Sequence, residues 1–190
     1  MGTLLLLLVI ATSGSAPGAR RDDLSATSAP GPVIEMSGGG FGVRLPRAFA
    51  RAIEEAAPGF RPFTLDDYAD DIRHEYTFTM RQAPWAVVGD FNGDGWCDLV
   101  IDGHDATSSY RFCVWGGAAP KVLKLAPPAP RQGGVLIAAL QYHDPGRVET
   151  NFNNESMELF TDGFNDYAWE KAGTLFFWKK DHFEQFVTSD

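Results

Sequence analysis

Between residues 90 and 98 the chain reads Asp90-Phe91-Asn92-Gly93-Asp94-Gly95-Trp96-Cys97-Asp98, with side-chain oxygens at the first, third, fifth and ninth positions and glycine at the sixth. Calcium is a hard cation that takes six to eight oxygen ligands, so a tight turn must aim several carboxylates inward, and a glycine lets the backbone reverse. The spacing makes Asp90, Asn92, Asp94 and Asp98 candidate side-chain ligands and the Trp96 carbonyl a candidate backbone ligand. Magnesium, which demands a stricter octahedron and keeps its waters, suits such a loop less well. An acidic hairpin is the plainer reading, because Asn-Gly and Asp-Gly form turns by themselves. An EF-hand is excluded by Ile101 at the twelfth position, where a glutamate is required, and by the β-prone Leu99-Val100-Ile101 that follows in place of a helix.

The loop resembles the strand-loop-strand calcium sites of the FG-GAP and VCBS repeat families, in which Asp-x-Asp-x-Asp-Gly-x-x-Asp sits in a hairpin. Asn92 stands at the middle aspartate, keeping an oxygen and lowering the charge. Those families repeat the motif, and this chain carries one copy. From Leu45 to Asp190, with Glu170-Lys171-Ala172, Trp178-Lys179, Phe183 and the ending Thr188-Ser189-Asp190, the chain also resembles a group of small uncharacterised exported bacterial proteins. That resemblance implies a fold and export, and no activity.

Other chemistry-bearing residues form no recognisable set. The histidines His74, His104, His143 and His182 lack zinc-site spacing. Asp102, His104, Asp105, Ser108 and Ser109 supply nucleophile and base types without a Gly-x-Ser-x-Gly elbow, and a hairpin turn explains them better. The acids Glu149, Glu155, Glu158 and Glu170 could pair for glycoside hydrolysis, as acids in any acidic chain could. An exported hydrolase with an unidentified site is therefore the alternative to a calcium-binding module, and a structural component of a larger assembly is a third reading.

These residues must be positioned by a chain of 190 residues, 44% hydrophobic, with a formal net charge of -9. That length supports one core, and the charge argues against nucleic acid as a partner. Residues 1–16 read as a secretory signal, apolar from Leu4 to Ala11 and too short to span a bilayer, which places the protein as secreted or periplasmic with no membrane span. Residues 17–44, rich in Ala, Ser, Gly and Pro, read as a flexible linker, with order beginning near Leu45. Residues 45–190 read as a single calcium-binding domain.

Within that domain, Phe49, Ile53 and Ala57 predict an amphipathic helix over 46–57, and Thr64 with Asp67 caps a second helix carrying Leu65, Tyr68 and Ile72. Short β-prone runs follow at 85–88, 99–101, 112–115, 122–125 and 135–142, with two or three more strands between Tyr167 and Val187. Helices first and strands afterwards predict an α+β fold, short N-terminal helices packed on a largely antiparallel sheet with one calcium hairpin. If that hairpin turns near Asp105, Cys97 and Cys113 fall nearly opposite each other and suggest a disulfide, the other reading being two buried free thiols. Trp169, Phe176, Phe177, Trp178, Phe183 and Phe186 put aromatics on both faces of the last hairpin. One face belongs to the core. The other is either covered as well or forms an apolar patch for a protein or carbohydrate partner.

Overall fold

The apolar run Leu99-Val100-Ile101 is buried on both sides, and the architecture follows from that. The computed structural model describes residues 31–37, 40–131, 133–149, 156–168 and 172–189. In chain order the elements are β1 (Val33–Ser37), β2 (Gly40–Arg44), α1 (Arg47–Ala56), β3 (Arg61–Pro62), a 3-10 turn (Leu65–Asp67), α2 (Asp70–Glu75), β4 (Gln82–Ala83), β5 (Ala86–Gly89), β6 (Asp98–His104) and β7 (Ser108–Trp115). They continue with β8 (Lys121–Lys124), β9 (Ala129–Pro130), β10 (Ala138–His143), β11 (Gly146–Glu149), β12 (Ser156–Leu159), β13 (Gly163–Ala168), β14 (Ala172–Lys179) and β15 (His182–Ser189).

Two antiparallel sheets form the body. The larger has the order β4-β5-β6-β7-β8, with β3 added to β6 and β9 to β7, and the smaller has the order β10-β13-β14-β15. Because side chains alternate along a strand, each central strand sends one set of residues to each face. Val87, Val100 and Cys113 meet Leu140 and Phe164 of the smaller sheet, while Ala86, Val88, Leu99, Ile101, Phe112 and Val114 point the other way, into a core with Phe49, Ile53 and Ile72. A strand buried on both faces reads as a continuous apolar run.

Strand makes up 51% of the described residues and helix 13%, so the α+β expectation is corrected: this is a β-rich fold, and two short helices do not form a layer of their own. The helical periodicity at 46–57 is real, and α1 buries Phe49 and Ile53. The second helix, however, breaks in two. Thr64 caps a single 3-10 turn, its N–H donating to Asp67 Oδ2 at 2.7 Å. Tyr68 then turns extended, with φ -102 and ψ 155, and buries its ring before α2 begins. Several short strands have too few residues to show an alternation, and β11 and β12 escape the sequence reading altogether.

Two further expectations change. Within the stretch read as a linker, Val33–Ser37 and Gly40–Arg44 pair as the antiparallel strands β1 and β2, burying Ile34 and stacking Phe41 on Phe78 at 3.7 Å. Cys97 and Cys113 are free thiols. The hairpin does turn at Asp105, but its register pairs Val100 with Cys113. Cys97 lies three residues from Val100, an odd number, so the two thiols point to opposite faces. Cys113 sits between the sheets, and Cys97 packs in the opposite cluster, where a Cβ on Gly31 would approach its own Cβ to 2.9 Å.

The C-terminal aromatic hairpin is covered on both faces. Phe176 stacks on Phe164 with centroids 4.9 Å apart, and Trp178 and Phe183 pack on Trp115 at 4.8 and 5.6 Å. Phe177 and Phe186 turn to the other side, with Leu175, under Val148 and Leu159 of β11 and β12. Of the two readings of this hairpin, the packing favours the covered one, with Trp169 outside the described residues. The signal read at 1–16 also lies outside them. Among the described residues no helix is long and apolar enough to cross a membrane.

The 90–98 loop as a candidate metal centre

The loop joins β5 to β6 across one end of the larger sheet. Gly93 and Gly95 take φ +76 and +85, a region open to glycine at little cost. These turns bring backbone amides onto the Asp90 carboxylate: Gly93 N–H donates to Oδ1 at 2.8 Å and Gly95 N–H to Oδ2 at 2.9 Å. Asn92 Oδ1 accepts Asp94 N–H at 3.0 Å, and Asp94 Oδ1 accepts Trp96 N–H at 2.8 Å. The Asn92 amide donates to Asp94 Oδ2 at 2.9 Å. Asp90, Asn92 and Asp94 are thereby gathered by the loop's own bonds.

Asp98 is placed differently. It is fully buried at the base of the loop, where Oδ2 accepts Phe91 N–H at 3.0 Å and Oδ1 accepts Gly116 N–H at 2.7 Å. Burial pushes its carboxyl up to about 7 against those two bonds, and the charges of Asp94 and Asp90 push the same way. Burial also raises Asp90; the Gly95 and Gly93 bonds oppose the shift, and the charges of Asp94 and Asp162 add to it. The Trp96 carbonyl accepts no hydrogen bond among the described residues. Among those residues no three His, Cys, Asp or Glu side chains come together closely enough to hold a metal ion, so Asp98 does not join Asp90 and Asp94 in a ready carboxylate triad.

The donor set is all oxygen, the kind calcium takes, and a carboxylate oxygen that accepts one N–H keeps a second lone pair. By donor chemistry the loop fits a hard divalent cation.

One residue that holds the loop has no signal in the local sequence. Asp162, in the turn between β12 and β13, accepts the Asp90 N–H through Oδ2 at 2.8 Å and the Tyr142 hydroxyl through Oδ1 at 2.7 Å. Arg81 lies 3.8 Å from Asp162, with its guanidinium 4.8 Å over the Tyr142 ring. Glycine at 89 makes room for this contact, since a Cβ there would come within 2.7 Å of Asp162 Oδ2. At the base of the loop a Cβ on Gly116 would come within 2.4 Å of the Cys97 carbonyl.

Of the residues read as possible hydrolytic groups, Asp102 and Asp105 are engaged otherwise, and Glu155 and Glu170 lie outside the described residues. Asp102 holds Arg111 through two bonds of 2.8 Å, and Arg111 reaches across to Asp166 of the smaller sheet at 2.6 Å. Asp105 closes the β6–β7 turn by accepting Thr107 N–H and Ser108 N–H, each at 2.7 Å. Glu149 and Glu158 stand exposed on β11 and β12, with Glu149 paired to Arg147 at 3.1 Å.

The fold and site together define a β-rich domain of two packed antiparallel sheets with an acidic strand-loop-strand at one end. No protein-family model, curated protein or solved structure matches the chain.

Proposed function

We propose that the chain is an exported, calcium-stabilised binding module whose 90–98 loop takes one calcium ion through Asp90, Asn92, Asp94, Asp98 and the Trp96 carbonyl. The observation that supports this reading is the wrapping of the Gly93 and Gly95 amides onto Asp90 in the turn that also carries Asp94. Like charges held this close disfavour one another's ionised forms, and a divalent cation offsets that repulsion. The ion's role is to fix the junction of β5 and β6 rather than to catalyse, since Asp102 and Asp105 at the β6–β7 hairpin are committed to an ion pair and to turn bonds.

Calorimetric titration of the purified chain tests the reading. One calcium per chain is expected, with weaker heats from magnesium and none from Asp94→Ala at matched concentrations. Absence of a calcium heat in the wild type, or an undiminished heat in the variant, would remove the loop as the site.

A further inference from the structure

About 20 Å from the 90–98 loop, at the other end of β6, a recess of about 540 Å³ opens beside the β6–β7 turn, lined in part by Arg61, His104, Asp105, Thr107 and Arg131. Backbone pairing fixes the main chain that carries the two arginines. Arg61 is the ladder partner of His104, and the Arg131 N–H donates to the Thr107 carbonyl at 2.8 Å. His104 Nδ1 donates to the Asp105 carbonyl at 2.9 Å, and its ring lies 5.3 Å from that of Phe63. With the acceptor a carbonyl, Nδ1 carries the proton and Nε2 is left uncommitted.

The two guanidinium charges are offset in the recess by the single carboxylate of Asp105. The chain has 25 Asp and Glu against 16 Lys and Arg, and Arg44, Arg51, Arg73, Arg81, Arg111 and Arg147 each meet a carboxylate. Among the described residues neither Arg61 nor Arg131 does. The acid on the recess, Asp105, has its oxygens held in the turn and sets one negative charge against two guanidiniums. Its oxygens accept the Thr107 and Ser108 amides, the Thr107 hydroxyl at 3.0 Å and the Tyr110 hydroxyl at 2.6 Å, and those bonds hold its carboxyl well below the usual range. A guanidinium offers a planar fork of donors matched to phosphate, sulfate and carboxylate groups.

We propose that this recess binds an oxyanion group carried on a small ligand, gripped by Arg61 and Arg131 with His104 beside them. The site is independent of the calcium reading and lies at the opposite end of the same strand.

Titration of the full chain with sodium sulfate and with sodium acetate, at constant ionic strength and with calcium present, tests it. Saturable binding of at least one anion is expected, weakened by about tenfold or more in the double variant Arg61→Gln, Arg131→Gln and unchanged in Arg47→Gln, a tenfold loss being about 1.4 kcal/mol. Arg47 is a suitable control because it is exposed and also lacks an acidic partner, yet lies outside the recess. A preference for sulfate indicates a phosphoryl or sulfuryl group, and a preference for acetate a carboxylate. Circular dichroism and the thermal midpoint check that the variants fold, and Arg131→Gln alone replaces the double variant should the latter unfold. No saturable response to either anion, or equal weakening by Arg47→Gln, overturns the proposal.

Discussion

Asp162 carries more of the loop's architecture than its distance in the chain suggests. Removing this carboxylate strands the Asp90 amide, at a cost of about 1–3 kcal/mol for a buried unsatisfied group, and leaves the Tyr142 hydroxyl only the longer bond to Asp144 Oδ1 at 3.3 Å. Asp162→Ala is therefore expected to destabilise the protein by about that amount in urea unfolding. An unchanged midpoint would show that the Asp90 amide finds water instead. The loop residues themselves were legible in the sequence, because oxygens at alternate positions and glycines at the reversals lie within nine consecutive residues. Asp162 was not legible, because its partner is 72 residues away and no local pattern marks it. Asp98 illustrates the same limit. Its spacing suggests a ligand equal to Asp90, whereas in the fold it accepts Phe91 and Gly116 amides in a fully buried position.

At the level of elements, strand type was readable where runs were long and apolar, as in β5, β6 and β7, and the turn at Asp105 was placed correctly. Register was not readable. A shift of one residue carries every side chain of a strand to the other face, and the pairing of Val100 with Cys113 sends Cys97 to the face away from Cys113. Burial then raises the Cys97 thiol to about 12 and the Cys113 thiol also upward, so neither is a ready nucleophile. Thiol titration without reductant is expected to find both cysteines unmodified in the native protein and both reactive after denaturation. A denatured chain with no reactive thiol would mean that the two are joined and that the β6–β7 register is wrong. The aromatic hairpin teaches a related lesson: residues on both faces of a strand suit either an exposed patch or a sheet packed on both sides. Only the position of β11 and β12 over Leu175 and Phe177 decides between them.

The whole molecule is built on two antiparallel sheets packed face to face, tied at one end by the 90–98 loop with Asp162 and further along by Arg111, which joins Asp102 on one sheet to Asp166 on the other. The division into helices and sheet was not legible in the sequence, since short strands without a clear alternation are invisible to periodicity. The central claim is that a divalent cation in the 90–98 loop completes this arrangement. A ligand that binds only the native state adds about 2.7 kcal/mol at a hundred times its dissociation constant, and for a domain of this size each kcal/mol raises the midpoint by about 2–4 °C. The most direct test is thermal unfolding of the wild type and of Asp94→Ala in saturating calcium and in chelator. The account predicts a midpoint higher by about 5–10 °C in calcium for the wild type and no difference for the variant. Equal midpoints for the wild type in calcium and chelator would contradict it and leave the loop an acidic hairpin closed by its own hydrogen bonds.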